Sequence, residues 1–147
     1  MRTKLKYLFI LITSVILYSC GNPEPMRTDF IGTWKSSDGA IIKLYKNDEC
    51  EISNLNYKNI YSFDNTPSIL NCKGIWKFIN VNDEPVVDIT YEKGGNYKYK
   101  GQIRPNISGF HLSISGQGLL ENQPPWKLFV FIGDPDNMNK YEFIKNH

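Results

Sequence analysis

The sequence predicts an all-β fold, a small antiparallel up-and-down barrel, with a two-sheet sandwich as the alternative. Three observations carry this. Apolar residues recur with a period of two: Val87, Ile89 and Tyr91 alternate with Asp88 and Thr90, and Phe110, Leu112 and Ile114 alternate with His111 and Ser113. That is the pattern of strands with one face buried. Turn-forming clusters separate the runs at hairpin spacing: Ser37-Asp38-Gly39, Lys46-Asn47-Asp48, Asn82-Asp83-Glu84-Pro85, Lys93-Gly94-Gly95-Asn96, Pro105-Asn106 and Gly133-Asp134-Pro135-Asp136. No stretch carries a long amphipathic helix. A meandering sheet that is apolar on one face hides that face, and loses its edges, by closing on itself.

In chain order, the first segment is an export signal. Arg2, Lys4 and Lys6 give a positive start, and residues 8–17 an apolar run too short to span a bilayer of about 30 Å. Residues 1–19 read as the signal peptide. Leu17-Tyr18-Ser19-Cys20 resembles the lipobox of bacterial lipoprotein precursors, although Tyr18 stands where a small or aliphatic residue is usual. The resemblance implies that Cys20 receives a diacylglycerol and becomes the acylated N-terminus, so that lipid holds the protein on a membrane. With Gly21-Asn22 rather than an aspartate after the cysteine, it also favours the outer membrane. Residues 20–28 contain two prolines and read as the lipidated cysteine plus a flexible tether; residues 29–147 are one domain.

Three of the 17 basic residues and none of the 15 acidic ones lie in the signal, so its removal leaves 14 against 15 and takes the net charge from +2 to −1. The mature chain has no basic stripe of the kind nucleic-acid binders carry, and no nucleic-acid partner is expected.

Nine strands are expected within the domain, over 32–35, 40–45, 49–53, 74–80, 87–91, 97–104, 110–114, 127–132 and 140–145. In 97–104, Tyr97, Tyr99, Gly101 and Ile103 share one face, and Lys98, Lys100, Gln102 and Arg104 the other. Gly32-Thr33-Trp34 opens the domain and Gly74-Ile75-Trp76 echoes it. In each, a glycine lets the chain bend and a tryptophan fills the core. The opening segment resembles the Gly-x-Trp start of lipocalins and of bacterial lipocalin-like lipoproteins. The lipocalins stack an arginine of the last strand on that tryptophan; here the nearest cation is Lys145. The resemblance implies the barrel and a structural role for Gly32 and Trp34, and transfers no functional residue.

Reactive constellations are absent from the pattern. His111 and His147 are the two histidines, too few for a zinc set or a Ser-His-Asp arrangement. Asp134, Asp136, Asn137 and Asn139 lack the glycine and distal glutamate of a calcium loop and read as turn chemistry. Neither catalysis, nor a metal, nor a cofactor is expected. Cys50 and Cys72 remain an even pair in an exported domain and are expected to form a disulfide.

The connection 54–71 is long yet carries Tyr57, Ile60, Tyr61 and Phe63, and a second unusual segment, 116–126, places Leu119 and Leu120 near Pro124, Pro125 and Trp126. Aromatic loops in a compact domain are functional surfaces or plugs. The expectation is that both rim one barrel mouth, with Tyr57, Tyr61, Phe63 and Trp126 as ligand- or partner-binding residues. The function expected is therefore a membrane-anchored, non-catalytic envelope module that binds a small apolar ligand or an envelope protein. The alternative is an immunity or inhibitor lipoprotein that blocks a toxin or hydrolase. An open cavity suits the small-molecule binder; a filled barrel with a projecting element suits the inhibitor.

Overall fold

The computed structural model describes residues 23–60, 69–99 and 102–146. A single turn of helix, α1 (Arg27–Phe30), precedes eight strands: β1 (Gly32–Ser36), β2 (Ile41–Leu44), β3 (Glu49–Asn56), β4 (Ile69–Val81), β5 (Glu84–Tyr99), β6 (Gln102–Gln117), β7 (Gln123–Phe131) and β8 (Lys140–Asn146). Each strand pairs antiparallel with the next, and β8 returns to β1, closing the barrel. The expected up-and-down barrel is the fold observed. No helix among the described residues is long and apolar enough to cross a membrane.

Alternation decides which side chains fill the interior. Trp34, Ile42, Leu44, Trp76, Val87, Ile89, Leu112, Leu128 and Phe143 are all essentially without solvent contact, and Phe30 of α1 caps them from one end. Phe30 stacks on Trp34 and on Phe78 at centroid distances of 5.9 and 5.4 Å. Opposite-parity residues face out; Asp88 and His111, partners in the β5–β6 register, meet there with Nδ1 3.0 Å from Oδ1.

The strand count corrects one expectation. Residues 97–104 are not one strand: Tyr97 is the register partner of Arg104 and Tyr99 of Gln102, so the chain reverses between them. The turn expected at 93–96 lies inside β5, where the register runs four steps from Glu92 to Asn96 against two from Ile107 to Pro105. Such a bulge absorbs extra residues without ending the pairing. Pro105, expected in a turn, sits within β6.

That hairpin also makes the barrel asymmetric. β4 pairs with β5 from Val81↔Glu84 as far as Gly74↔Tyr91; beyond this its partner is β3, while β5 continues with β6 to Tyr99↔Gln102. The sheet forks at Gly74. A Cβ there would stand 2.3 Å from the Thr90 carbonyl oxygen, so only glycine allows the strands to approach this closely just before they part.

Because strands alternate in direction, connections alternate between ends. α1 and the turns 45–48, 82–83 and 118–122 lie at the end where the chain enters; 37–40, 57–60 and 132–139 lie at the far end. The segments 54–71 and 116–126 were expected to rim one mouth. Their described parts lie at opposite ends, since 54–60 and 69–71 belong to the far ends of β3 and β4, whereas 116–126 joins β6 to β7 at the entry end.

Candidate functional site

At the fork, a cleft of about 500 Å³ opens on the outer wall, lined among others by Tyr45, Glu51, Lys73, Ile75, Thr90, Glu92 and Ile107, with Cys50, Gly74 and Tyr91 at its floor. The register explains the lining: Glu51 faces Lys73 across β3–β4, Ile75 faces Thr90 across β4–β5, and Glu92 faces Ile107 across β5–β6. These are outward positions, yet two carry isoleucine. Ile75 and Ile107 are 49% and 58% exposed, and with the half-exposed Tyr45 ring they form an apolar strip.

Charge along the strip is organised around Glu51. The Tyr45 hydroxyl donates to its Oε2 at 2.9 Å, Lys73 Nζ stands 3.3 Å from Oε1 and Lys43 Nζ 3.7 Å from Oε2. The Tyr45 hydrogen bond, then Lys73, hold the Glu51 carboxyl below its usual range, and the same bond raises the tyrosine. A carboxylate held ionised is a poor proton shuttle at neutral pH but a good acceptor for a partner's donor. The thiol at the floor is a poor nucleophile, because burial pushes Cys50 up to about 12 and the thiolate is the reactive form; Cys72, outside the cleft, is raised to about 11 in the same way.

The crosslink expected between Cys50 and Cys72 is not formed; both are free thiols. Their parity is right, since both face inward, but Cys50 lies opposite Gly74 and Cys72 opposite Ile52. They are diagonal neighbours, and diagonal Cα atoms in antiparallel pairs are about 7–8 Å apart, whereas disulfides need roughly 4.4–6.8 Å.

The structural residues sit where the Gly-x-Trp echo implies. Gly32 has φ +137°, and a Cβ there would stand 2.9 Å from Lys145 Cε. Lys145, the register partner of Trp34, holds its Nζ 5.8 Å from that ring's centroid and donates to the Asp29 carbonyl at 2.6 Å. A lysine cation thus lies beside the Trp34 ring. Trp76 carries the Arg27 guanidinium 4.6 Å from its ring centroid, and Arg27 also pairs with Asp48. All three indoles donate at the entry end: Trp34 to the Phe30 carbonyl at 2.8 Å, Trp76 to that of Tyr45 at 2.8 Å, and Trp126 to Asp29 Oδ2 at 3.2 Å.

Of the residues expected to bind, Tyr57 and Trp126 are not brought together. Tyr57 is buried in the core at the far end, and Trp126 is buried at the entry end. Tyr61, Phe63 and the lipidation residue Cys20 lie outside the described residues. A polar cluster that sequence patterning did not single out closes the far end: Tyr141 donates to Asp38 Oδ1 at 2.8 Å, Asn59 Nδ2 to Asp38 Oδ2 at 3.2 Å, the Ala40 amide to Ser36 Oγ at 3.0 Å, and Ser36 Oγ bonds Asp38. Burial opposes the Asp38 charge, but the Ser36, Tyr141 and Ala40 donors outweigh it and hold the carboxyl below its ordinary value. Among the described residues, no group of three or more His, Cys, Asp or Glu gathers as a metal site. Asp134 instead caps a short turn by accepting from the Asp136 amide at 3.0 Å.

The chain matches no protein-family model, no curated protein and no solved structure. Its functional reading rests on its own geometry.

Proposed function

We propose that this chain is a lipid-anchored envelope module that acts by binding another protein, with Cys20 acylated, the outer membrane as its favoured location, and the outer cleft at the fork as the docking surface. The observation that carries the choice between ligand classes is the filled interior. Trp34, Trp76, Phe30 and Phe143 occupy the space that a small-molecule carrier keeps open, and all four are fully buried. What remains available is an apolar strip of Ile75, Ile107 and Tyr45, rimmed by Glu51 and Lys73, on a wall whose neighbouring β5–β6 ribbon runs on past β4. An apolar centre with a polar rim suits a protein interface. The same filled barrel and extended ribbon favour, as a second reading, an inhibitor that covers a toxin or hydrolase.

The test places a photocrosslinking residue at Ile75, at Ile107 and, as control, at the exposed Ile144 in cells of the native host. One adduct common to the first two and missing from the third supports the reading. A small molecule that copurifies stoichiometrically with the protein, with no adduct, overturns it.

A further inference from the structure

The entry end of the barrel carries apolar side chains that its own core does not use. The turn 118–122 between β6 and β7 presents two adjacent leucines: Leu119 is fully exposed and Leu120 is 75% exposed. The turn is fixed in place, because the Gly116 amide donates to the Glu121 carbonyl at 2.5 Å and Lys140 Nζ lies 2.7 Å from Glu121 Oε2. Just past it, Pro124 and Pro125 share an apolar cleft of about 380 Å³ with Pro23 and Met26 of the entering chain, and Met26 is itself 62% exposed.

From these placements we propose that the 118–122 turn is a membrane-contacting element, in which Leu119 and Leu120 dip into the bilayer interface beside the acyl anchor. This deepens the lipoprotein reading and rests on it. The length of chain between the two features selects lipid as the occupant. Pro23 is already seated on the barrel, leaving three residue steps back to Cys20, which span at most about 10 Å when fully extended. An acylated Cys20 therefore holds the entry end, not the far end, against the bilayer, where exposed leucines are stabilised by leaving water. Charges of both signs are mixed at this end, Glu24 and Asp29 beside Arg27 and Lys145, and Glu121 is paired with Lys140, so the contact is apolar and does not depend on anionic lipid.

The experiment uses the full chain purified from membranes and reconstituted into phosphatidylethanolamine vesicles, with and without phosphatidylglycerol. An environment-sensitive fluorophore is attached at Leu119→Cys, or at Asp136→Cys on the far end, each in a Cys72→Ser background. The expected result is blue-shifted emission quenched by lipid-phase nitroxide at position 119 only, equal in both vesicle types and lost on adding Leu120→Asp. Because both leucines are exposed, the variants leave folding intact, which far-UV circular dichroism checks. Mass analysis of the N-terminal peptide separates the failures. Acylated protein whose position 119 stays in water overturns the membrane contact alone, whereas an unmodified Cys20 overturns the anchor and the contact with it.

Discussion

The two ends of this barrel are held by different physics. The entry end is closed by aromatic mass: Phe30 stacks between Trp34 and Phe78, three indoles donate toward the chain entry, and Lys145 and Arg27 lie over Trp34 and Trp76. The far end is closed by a polar cluster around Asp38, and its wall divides where β4 leaves β5. The fork, between the two ends, exposes an apolar strip of Ile75, Ile107 and Tyr45 on the outer wall, so the candidate docking surface lies outside both closures.

The largest expected effect tests the aromatic end. Trp34→Ala or Trp76→Ala removes a fully buried ring, and each is expected to cost about 3–5 kcal/mol in urea unfolding. A loss below about 1 kcal/mol for both would break the comparison. Gly74→Ala comes next. Its new methyl group meets the Thr90 carbonyl and must push β4 from β5, at a cost of about 1–3 kcal/mol, with hydrogen exchange rising first in β4 and β5.

At the far end, Tyr141→Phe removes one hydroxyl from a bonded cluster and is expected to cost about 1 kcal/mol. The same cluster gives the molecule an acid dependence. Since the folded Asp38 carboxyl sits below its ordinary 3.8, its contribution is present above that value and is lost as pH falls through the folded one. Asp38→Asn should flatten the acid limb of a thermal-stability profile and leave the neutral region little changed in slope. The cysteines act at the other extreme. With Cys50 raised from 9.0 to about 12, the unfolded thiol ionises first, so stability declines as pH rises between those values, and Cys50→Ala should remove part of that decline. A reductant should leave the melting temperature unchanged at neutral pH; a drop would restore the crosslink. The smallest stability effect belongs to the cleft, where Ile75→Asp, at an exposed site, should stay within about 0.5 kcal/mol while abolishing the crosslinked adduct at Ile107.

What the sequence made legible follows from where alternation is enforced by burial. Val87, Ile89 and Tyr91 face inward as their spacing predicts, and so do Phe110 and Leu112, because shifting parity by one would expose each set. The 97–104 run misleads because alternation continues through a tight reversal, and nothing in a period of two marks where a strand turns back. Gly94-Gly95 looks like the turn, but pairing on both sides of it makes a bulge cheaper than an end. The cysteine pair shows the same limit: parity is readable, register is not, and a diagonal offset separates two thiols on one face. The cleft was hidden because its residues come from four strands. Its one sequence signal was isoleucine at outward parity, at positions 75 and 107. Tyr57 belongs to a loop, where no periodicity states whether an aromatic ring packs inward.

Closure of β8 on β1 also sets the order of events during folding. The first strand has only β2 beside it until the last residues of the chain arrive, because Thr33 and Trp34 find their other partners in Asn146 and Lys145. Such long-range pairing is slow compared with the hairpins between. As the chain is synthesised from its N-terminus, seven strands can collect into an open sheet that shows one unpaired edge on β1 and another on β7. Those edges are where a neighbouring copy would add, so the final strand protects the nascent protein from aggregation as well as completing its wall.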